Sequence, residues 1–247
     1  MPERQEKGSG SWKPLLAATI LVVLLGALRL GGSGVKGSGV MQDEIREVSS
    51  FRGVALHGSF RTELSEGEFE VKLHGDDNLL PLITTEVVDG VLEVRTEQSF
   101  SSKDGITAFV SLPVLNSVEV GGSGSVMGQT AFTSESLSLS NAGSGEVTLR
   151  GDFSRLSVRS SGSGNIGLTG STQEQDVSLT GSADYQAGEL ACMGNTIVNL
   201  TGSGSCMVAV AGDLDVRLAG SGNVRYKGEP NSVTSTVAGS GTVSKLR

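Results

Sequence analysis

Along the second half of the chain the triplet Gly-Ser-Gly begins at Gly122, Gly143, Gly162, Gly202, Gly220 and Gly239, and Gly181-Ser182-Ala183 fills the slot between the third and the fourth. The seven first glycines are separated by 21, 19, 19, 21, 18 and 19 residues. A unit of about 20 residues is too small to bury its own apolar face, so each must stack on the next, and the chain is constrained to a solenoid.

The pattern inside the unit gives the type of solenoid. Two and four residues before the first glycine the chain is mostly apolar: Val118 and Val120, Val177 and Leu179, Val198 and Leu200, Val216 and Leu218. Four residues after it stand Val126, Val147, Ile166, Tyr185, Cys206, Val224 and Val243. All these positions share one parity, so apolar and polar side chains alternate, which is the period of a strand with one buried face. A second punctuation falls at Gly151, Gly170 and Gly228, eight residues after the first glycine of their units. The expected fold is therefore all-β: a single-stranded β-helix with coils of 19–21 residues.

Alternation also runs through the triplet itself, since Val118, Val120, Gly122, Gly124 and Val126 share parity. Both glycines are therefore expected to point inward where two walls of the coil come close, with the serine pointing out. Ala183 suits an inward site better than a corner needing positive φ.

Composition bounds the partners. The net charge is -8 over 247 residues, and without residues 1–30 the remainder holds 15 basic against 25 acidic residues. That balance repels a phosphate backbone, so nucleic acid is not an expected partner. Residues 1–14 form a basic head with Arg4, Lys7 and Lys13, and Leu15 to Leu28 carries no charge. This is the layout of an export signal, so a hydrophobic helix over 15–30 is expected to be a signal sequence or, counting through Leu30, a thin membrane anchor with its N-terminus inside. Residues 31–47, opening with GGSGVKGSGV, read as a flexible linker, and 48–247 as the β-helical domain. Within it, 48–120 lack the triplet. Hairpin turns at Ser65-Glu66-Gly67, Gly75-Asp76-Asp77-Asn78 and Asp89-Gly90 are expected to separate short strands there, making irregular first coils that cover that end of the stack. At the other end Lys245 and Arg247 are expected to blunt the terminal coil.

The run SSFRGVALHGSFRTELSEGEFEVKLHGDDNLLPLITTEVVDGVLEV (Ser49 to Val94), followed by the triplet units, resembles the bacterial family of auto-transporter adhesin head, or GIN, domains. The resemblance rests on Phe51 to Val54, Gly75 to Leu80 and Asp89-Gly90-Val91-Leu92, and covers roughly residues 48 to 247. It implies a right-handed β-helix at the bacterial cell envelope and carries no catalytic residue. Ala183 is the clear departure within the repeat.

Few residues of the chain point to chemistry. A polysaccharide-active site needs clustered carboxylates and aromatic platforms, yet Trp12 is the one tryptophan, and Tyr185 and Tyr226 fall on inward positions. His57 and His74 lie on the polar parity of their strands. Asp76 and Asp77 are the best carboxylate pair for a metal and read as a solvated turn; Glu63, Glu66, Glu68 and Glu70 read as a wet hairpin. Cys192 and Cys206, 14 residues apart, fit two buried thiols better than a disulfide. No catalytic, cofactor or metal site is expected. What remains is a surface: Ser123, Ser144, Ser163, Ser182, Ser203, Ser221 and Ser240 would line up as an outward contact strip, for a second copy, an envelope glycan or another protein. The expected function is a non-enzymatic envelope module for adhesion or self-association. The alternatives are a regulatory module binding a cell-wall component or membrane protein and, further off, a polysaccharide-active enzyme.

Overall fold

The computed structural model describes residues 34–246. The basic head 1–14, the hydrophobic segment 15–30 and Arg247 lie outside them. No helix among the described residues is long and apolar enough to cross a membrane.

The chain forms an all-β solenoid of about seven turns. In chain order the strands are β1 (Val35–Lys36), β2 (Met41–Ile45), β3 (Gly53–Gly58), β4 (Arg61–Glu66), β5 (Glu70–Asp76), β6 (Ile83–Val88), β7 (Val91–Thr96), β8 (Phe100–Ser101), β9 (Thr107–Leu112) and β10 (Ser117–Gly122). Then come β11 (Ser125–Gly143), β12 (Glu146–Gly162), β13 (Asn165–Gly181), β14 (Asp184–Cys192), β15 (Thr196–Gly202), β16 (Ser205–Val210), β17 (Asp213–Gly220), β18 (Asn223–Lys227), β19 (Ser232–Gly239) and β20 (Thr242–Lys245). They make two walls. On the first, β7, β3, β10, the second halves of β11, β12 and β13, then β15, β17 and β19 pair in parallel. On the second, β9, β4, the first halves of β11, β12 and β13, then β14, β16, β18 and β20 do the same.

The alternation read from the sequence becomes the core. Val118, Leu139, Val158, Val177, Val198 and Val216 are register partners in one continuous inward row, all buried. Val126, Val147, Ile166, Tyr185, Cys206 and Val224 form the facing row. Burying each such aliphatic side chain contributes about 1.5–3 kcal/mol relative to leaving it exposed, and the row repeats that gain at every coil.

The N-terminal part differs from expectation in three respects. First, space order departs from chain order: the coil built from β3 and β4 lies between the coil of β7 and β9 and the coil that opens with β10. Second, of the three turns only Asp89-Gly90 closes a hairpin, joining β6 to β7 with φ of 50° and 77°, the paired positive values of a tight hairpin turn. The turn after β4 instead leads round β9, which pairs β4 in parallel and β5 antiparallel. Third, the segment expected to be a flexible linker supplies β1, paired with β8, and β2, antiparallel to β5. As expected, this part covers its end of the stack: a 3₁₀ turn at Leu80–Leu82 follows Leu79, and Leu79, Leu80 and Ile83 are buried.

Candidate functional site

The triplet is the corner that takes the chain from the first wall to the second. Its first glycine has φ between 97° and 138° in all seven units, a region closed to most side chains by clash with Cβ. This corrects the expectation of two inward glycines: the first is a corner residue, half-exposed or exposed. The third position does point inward. Gly124, Gly145, Gly164, Ala183, Gly204 and Gly222 are buried and none has positive φ, which is why alanine is admitted there.

The corners are stitched through the backbone. From Ser123 to Ser221 each triplet serine N–H donates to the first-glycine carbonyl one coil back, as from Ser144 to Gly122 and Ser163 to Gly143, both at 2.9 Å, and from Ser203 to Gly181 at 2.8 Å; in the last triplet Gly241 N–H reaches Gly220 at 3.0 Å instead. The residue after the triplet donates to the third-position carbonyl below, as from Asn165 to Gly145 at 3.0 Å. Above Ala183 the pattern changes: Ser205 N–H donates to the Asp184 carboxylate at 2.9 Å, and its hydroxyl donates to the same oxygen at 2.5 Å. The seven serines, Ser123 to Ser240, are all exposed and stand in one file along this ridge. The sequence also missed a member of the file. Gly58-Ser59-Phe60 occupies the same corner between β3 and β4, with Gly58 in register with Gly122 and Phe60 buried at the inward position.

The other candidate residues have structural partners. Asp76 is not a solvated turn residue: it is 2% exposed, accepting from Gly39 N–H at 2.6 Å and from the Ser102 hydroxyl at 2.5 Å. The Ser102 hydroxyl, then the Gly39 amide, hold its carboxyl below the ordinary value of 3.8. Beside it Asp77 accepts from the Ser38 hydroxyl at 2.5 Å, and Asn78 bonds Ser38 N–H and the Lys36 carbonyl at 2.9 Å each. Together these groups clamp residues 36–39 onto the domain. His74 meets Asp43 at 2.6 Å on the surface of the β2–β5 pair, and that bond lowers the Asp43 carboxyl. His57 is exposed. Glu66 and Glu68 flank an exposed rim around Phe69, which packs at 5.4 Å on the buried Phe51 ring. No cluster of three or more metal-ligating side chains occurs among the described residues.

Cys192 and Cys206 are both free and buried. Burial pushes the Cys206 thiol up to about 12. Tyr185, fully buried, has its phenol pushed well above the ordinary range, by burial first and then by the two neighbouring thiols. Its hydroxyl donates to Gln175 Oε1 at 3.2 Å, and Gln175 Nε2 donates to Thr196 Oγ1 at 3.1 Å, so the polar groups inside this coil satisfy one another.

On the second bend, away from the triplet ridge, lies a groove of about 380 Å³ that no sequence signal marked. Its floor is Leu137, Leu156 and Gln175, and Arg155, Glu174 and Asp176 rise along its sides. These residues come from successive coils, in register across β11, β12 and β13. The arrangement offers an elongated, mostly apolar trough with one cation and two carboxylates.

A family profile described as "Putative auto-transporter adhesin, head GIN domain" matches residues 50–230. Among solved structures, a protein described as a putative adhesin from Bacteroides fragilis superposes with a TM-score of 0.80 at 21% identity, over 86% of this chain and 100% of that one. A putative adhesin from Parabacteroides merdae gives 0.69 at 22% identity, over 86% and 99% of the two chains. A protein described as a putative lipid binding protein from Parabacteroides distasonis gives 0.67 at 20%, over the same shares. No curated protein matches the chain. At these identities the structural likeness speaks for the fold; the profile, spanning well over half of the sequence, speaks for descent, and the chain belongs to the auto-transporter adhesin head GIN domain family.

Proposed function

We propose that this chain is a non-enzymatic surface module of the bacterial cell envelope, held at a membrane by its N-terminal hydrophobic segment, and that the triplet ridge is its contact strip. The observation that carries the reading is the ridge itself: Ser123, Ser144, Ser163, Ser182, Ser203, Ser221 and Ser240 form one exposed file on a backbone laddered at each step. Small hydroxyl side chains on a rigid, flat edge permit close approach with little ordering cost, which suits repeated contact with another regular surface. The right-handed winding implied by the family resemblance belongs to the same reading.

A second reading, a regulatory module that binds a cell-wall component or a membrane protein, is favoured by the groove along Leu137, Leu156 and Gln175. One experiment separates the two: capture from intact envelope with the full chain, with cell-wall glycan in parallel, using wild type and Ser203→Lys. Ser203 is exposed, so the substitution is expected to change stability by no more than about 0.5 kcal/mol. Capture should fall while thermal unfolding stays put; capture equal to wild type would remove the ridge from consideration.

A further inference from the structure

The segment clamped at Asp76 is held by recognition of a short motif and not by burial, since none of residues 34–50 is buried. The clamp engages Gly37-Ser38-Gly39-Val40 through backbone groups and one hydroxyl. Ser38 N–H donates to Asn78 Oδ1 at 2.9 Å, the Ser38 hydroxyl to Asp77 at 2.5 Å, and Gly39 N–H to Asp76 at 2.6 Å. The Val40 carbonyl accepts from Asp77 N–H at 2.9 Å. Both glycines are needed as such: a Cβ on Gly37 would strike the Asp76 carboxylate, and Gly39 has φ of 81°.

The same four residues stand just upstream. Gly32-Ser33-Gly34-Val35 repeats Gly37-Ser38-Gly39-Val40 with only Lys36 between, and Gly-Ser-Gly-Val occurs nowhere else in the sequence. The one further bond of the clamp, from Asn78 Nδ2 at 2.9 Å, goes to the backbone carbonyl of Lys36, and Gly31 carries the equivalent carbonyl for the upstream copy. Each bond the clamp makes to the downstream copy thus has a counterpart in the upstream one.

We propose that the clamp is a two-position latch for Gly-Ser-Gly-Val: the chain docks in the observed register or, slid by five residues, with Gly32 to Val35 in place of Gly37 to Val40. Sliding lays Lys36 to Val40 along β5, where Met41–Ile45 pair in the observed register, and extrudes Met41–Ile45 as a loop. It also draws in five upstream residues, roughly 17 Å of extended chain. Contacts outside the motif select the observed register. Asp43 meets His74 at 2.6 Å and Lys72 at 3.6 Å, while Val35 and Gly37 N–H donate to the Ser99 and Ser101 carbonyls at 2.9 and 2.8 Å. The slid chain sets Ser38 opposite His74 and forgoes these contacts, so it is the minor state of the pair. The latch rests neither on the triplet ridge nor on attachment to a membrane.

The test is hydrogen exchange of the full chain in neutral detergent micelles, read by mass spectrometry, for wild type, Gly37→Ala/Gly39→Ala, and a variant that adds Gly32→Ala/Gly34→Ala to these. Blocking the downstream copy should transfer the protection: in the double variant residues 41–45 exchange about ten-fold or more faster than in wild type, while 33–36 stay about ten-fold or more slower than in the quadruple variant. The quadruple variant should be fast at both segments, with the triplet coils unchanged throughout. Fast exchange at both segments in the double variant would show a single register and overturn the proposal. Wild-type exchange at 41–45 in the double variant would overturn it as well, because the clamp would then not depend on the glycines of its occupant.

Discussion

Gly202 and Gly204 belong to one triplet but meet different demands. At Gly202 φ is +127°, and an added Cβ would strike the Gly181 carbonyl oxygen; at Gly204 φ is not positive, and the Cβ would crowd Ala183. Both alanine variants incur an overpacking cost of about 1–3 kcal/mol, and Gly202→Ala adds about 1–2 kcal/mol for forcing a side chain into the left-handed region. Urea unfolding should therefore rank Gly202→Ala as the more damaging by that margin; equal losses would mean that backbone conformation is not what distinguishes the two positions. The sequence contained half of this distinction. Ala183 showed that one position tolerates a methyl group, but alternation counts both glycines as inward, because it follows parity and does not register that the chain turns at the first. Gly58-Ser59-Phe60 escaped notice for the same kind of reason: its inward position holds a large aromatic ring, which fills the space where the later coils bring their walls together.

At the scale of elements, the clamp around Asp76 decides whether β1 and β2 belong to the domain. Asp76→Ala removes the acceptor for Gly39 N–H and Ser102. Hydrogen exchange of residues 37–40 should then accelerate while the triplet coils are unaffected; slow exchange in the variant would place the anchoring elsewhere. The pH dependence has a definite sign. A carboxyl whose folded-state pKa lies below its ordinary value of 3.8 stabilises the clamp above that value, and the contribution is lost as pH falls through the lower, folded-state value. Wild-type residues 37–40 should therefore loosen only in acid below about pH 4. These elements were poorly legible in the sequence. GGSGVKGSGV has the composition of a linker, and the order of its residues 36–39 comes from side chains some 40 residues away, Asp76, Asp77 and Asn78. Alternation located the strands between residues 51 and 94, but it is blind to direction, so the antiparallel placing of β5 and β6 could not be read from it.

For the whole molecule, a stack in which each coil touches only its neighbours loses structure from its weakest end. In dilute solution, amides of β19 and β20 should exchange first and those of β12 and β13 last, because the terminal strands are paired on one side and exposed while the middle coils are buried and paired on both. A single cooperative exchange of all coils would contradict this. The architecture was the most legible part of the sequence, since seven triplets at a fixed period leave few alternatives. The groove was the least: Leu137, Leu156 and Gln175 become neighbours only through register between coils, a relation in which no single segment carries a signal. The shared corner has one more consequence. Excising Ser182 to Gly202 would leave Gly181 followed by Ser203, the same junction as before, with both termini of the stack untouched. Each coil is thus an interchangeable increment of about 4.8 Å, and the length of the stack is a quantity that deletion or duplication can adjust without redesigning the fold.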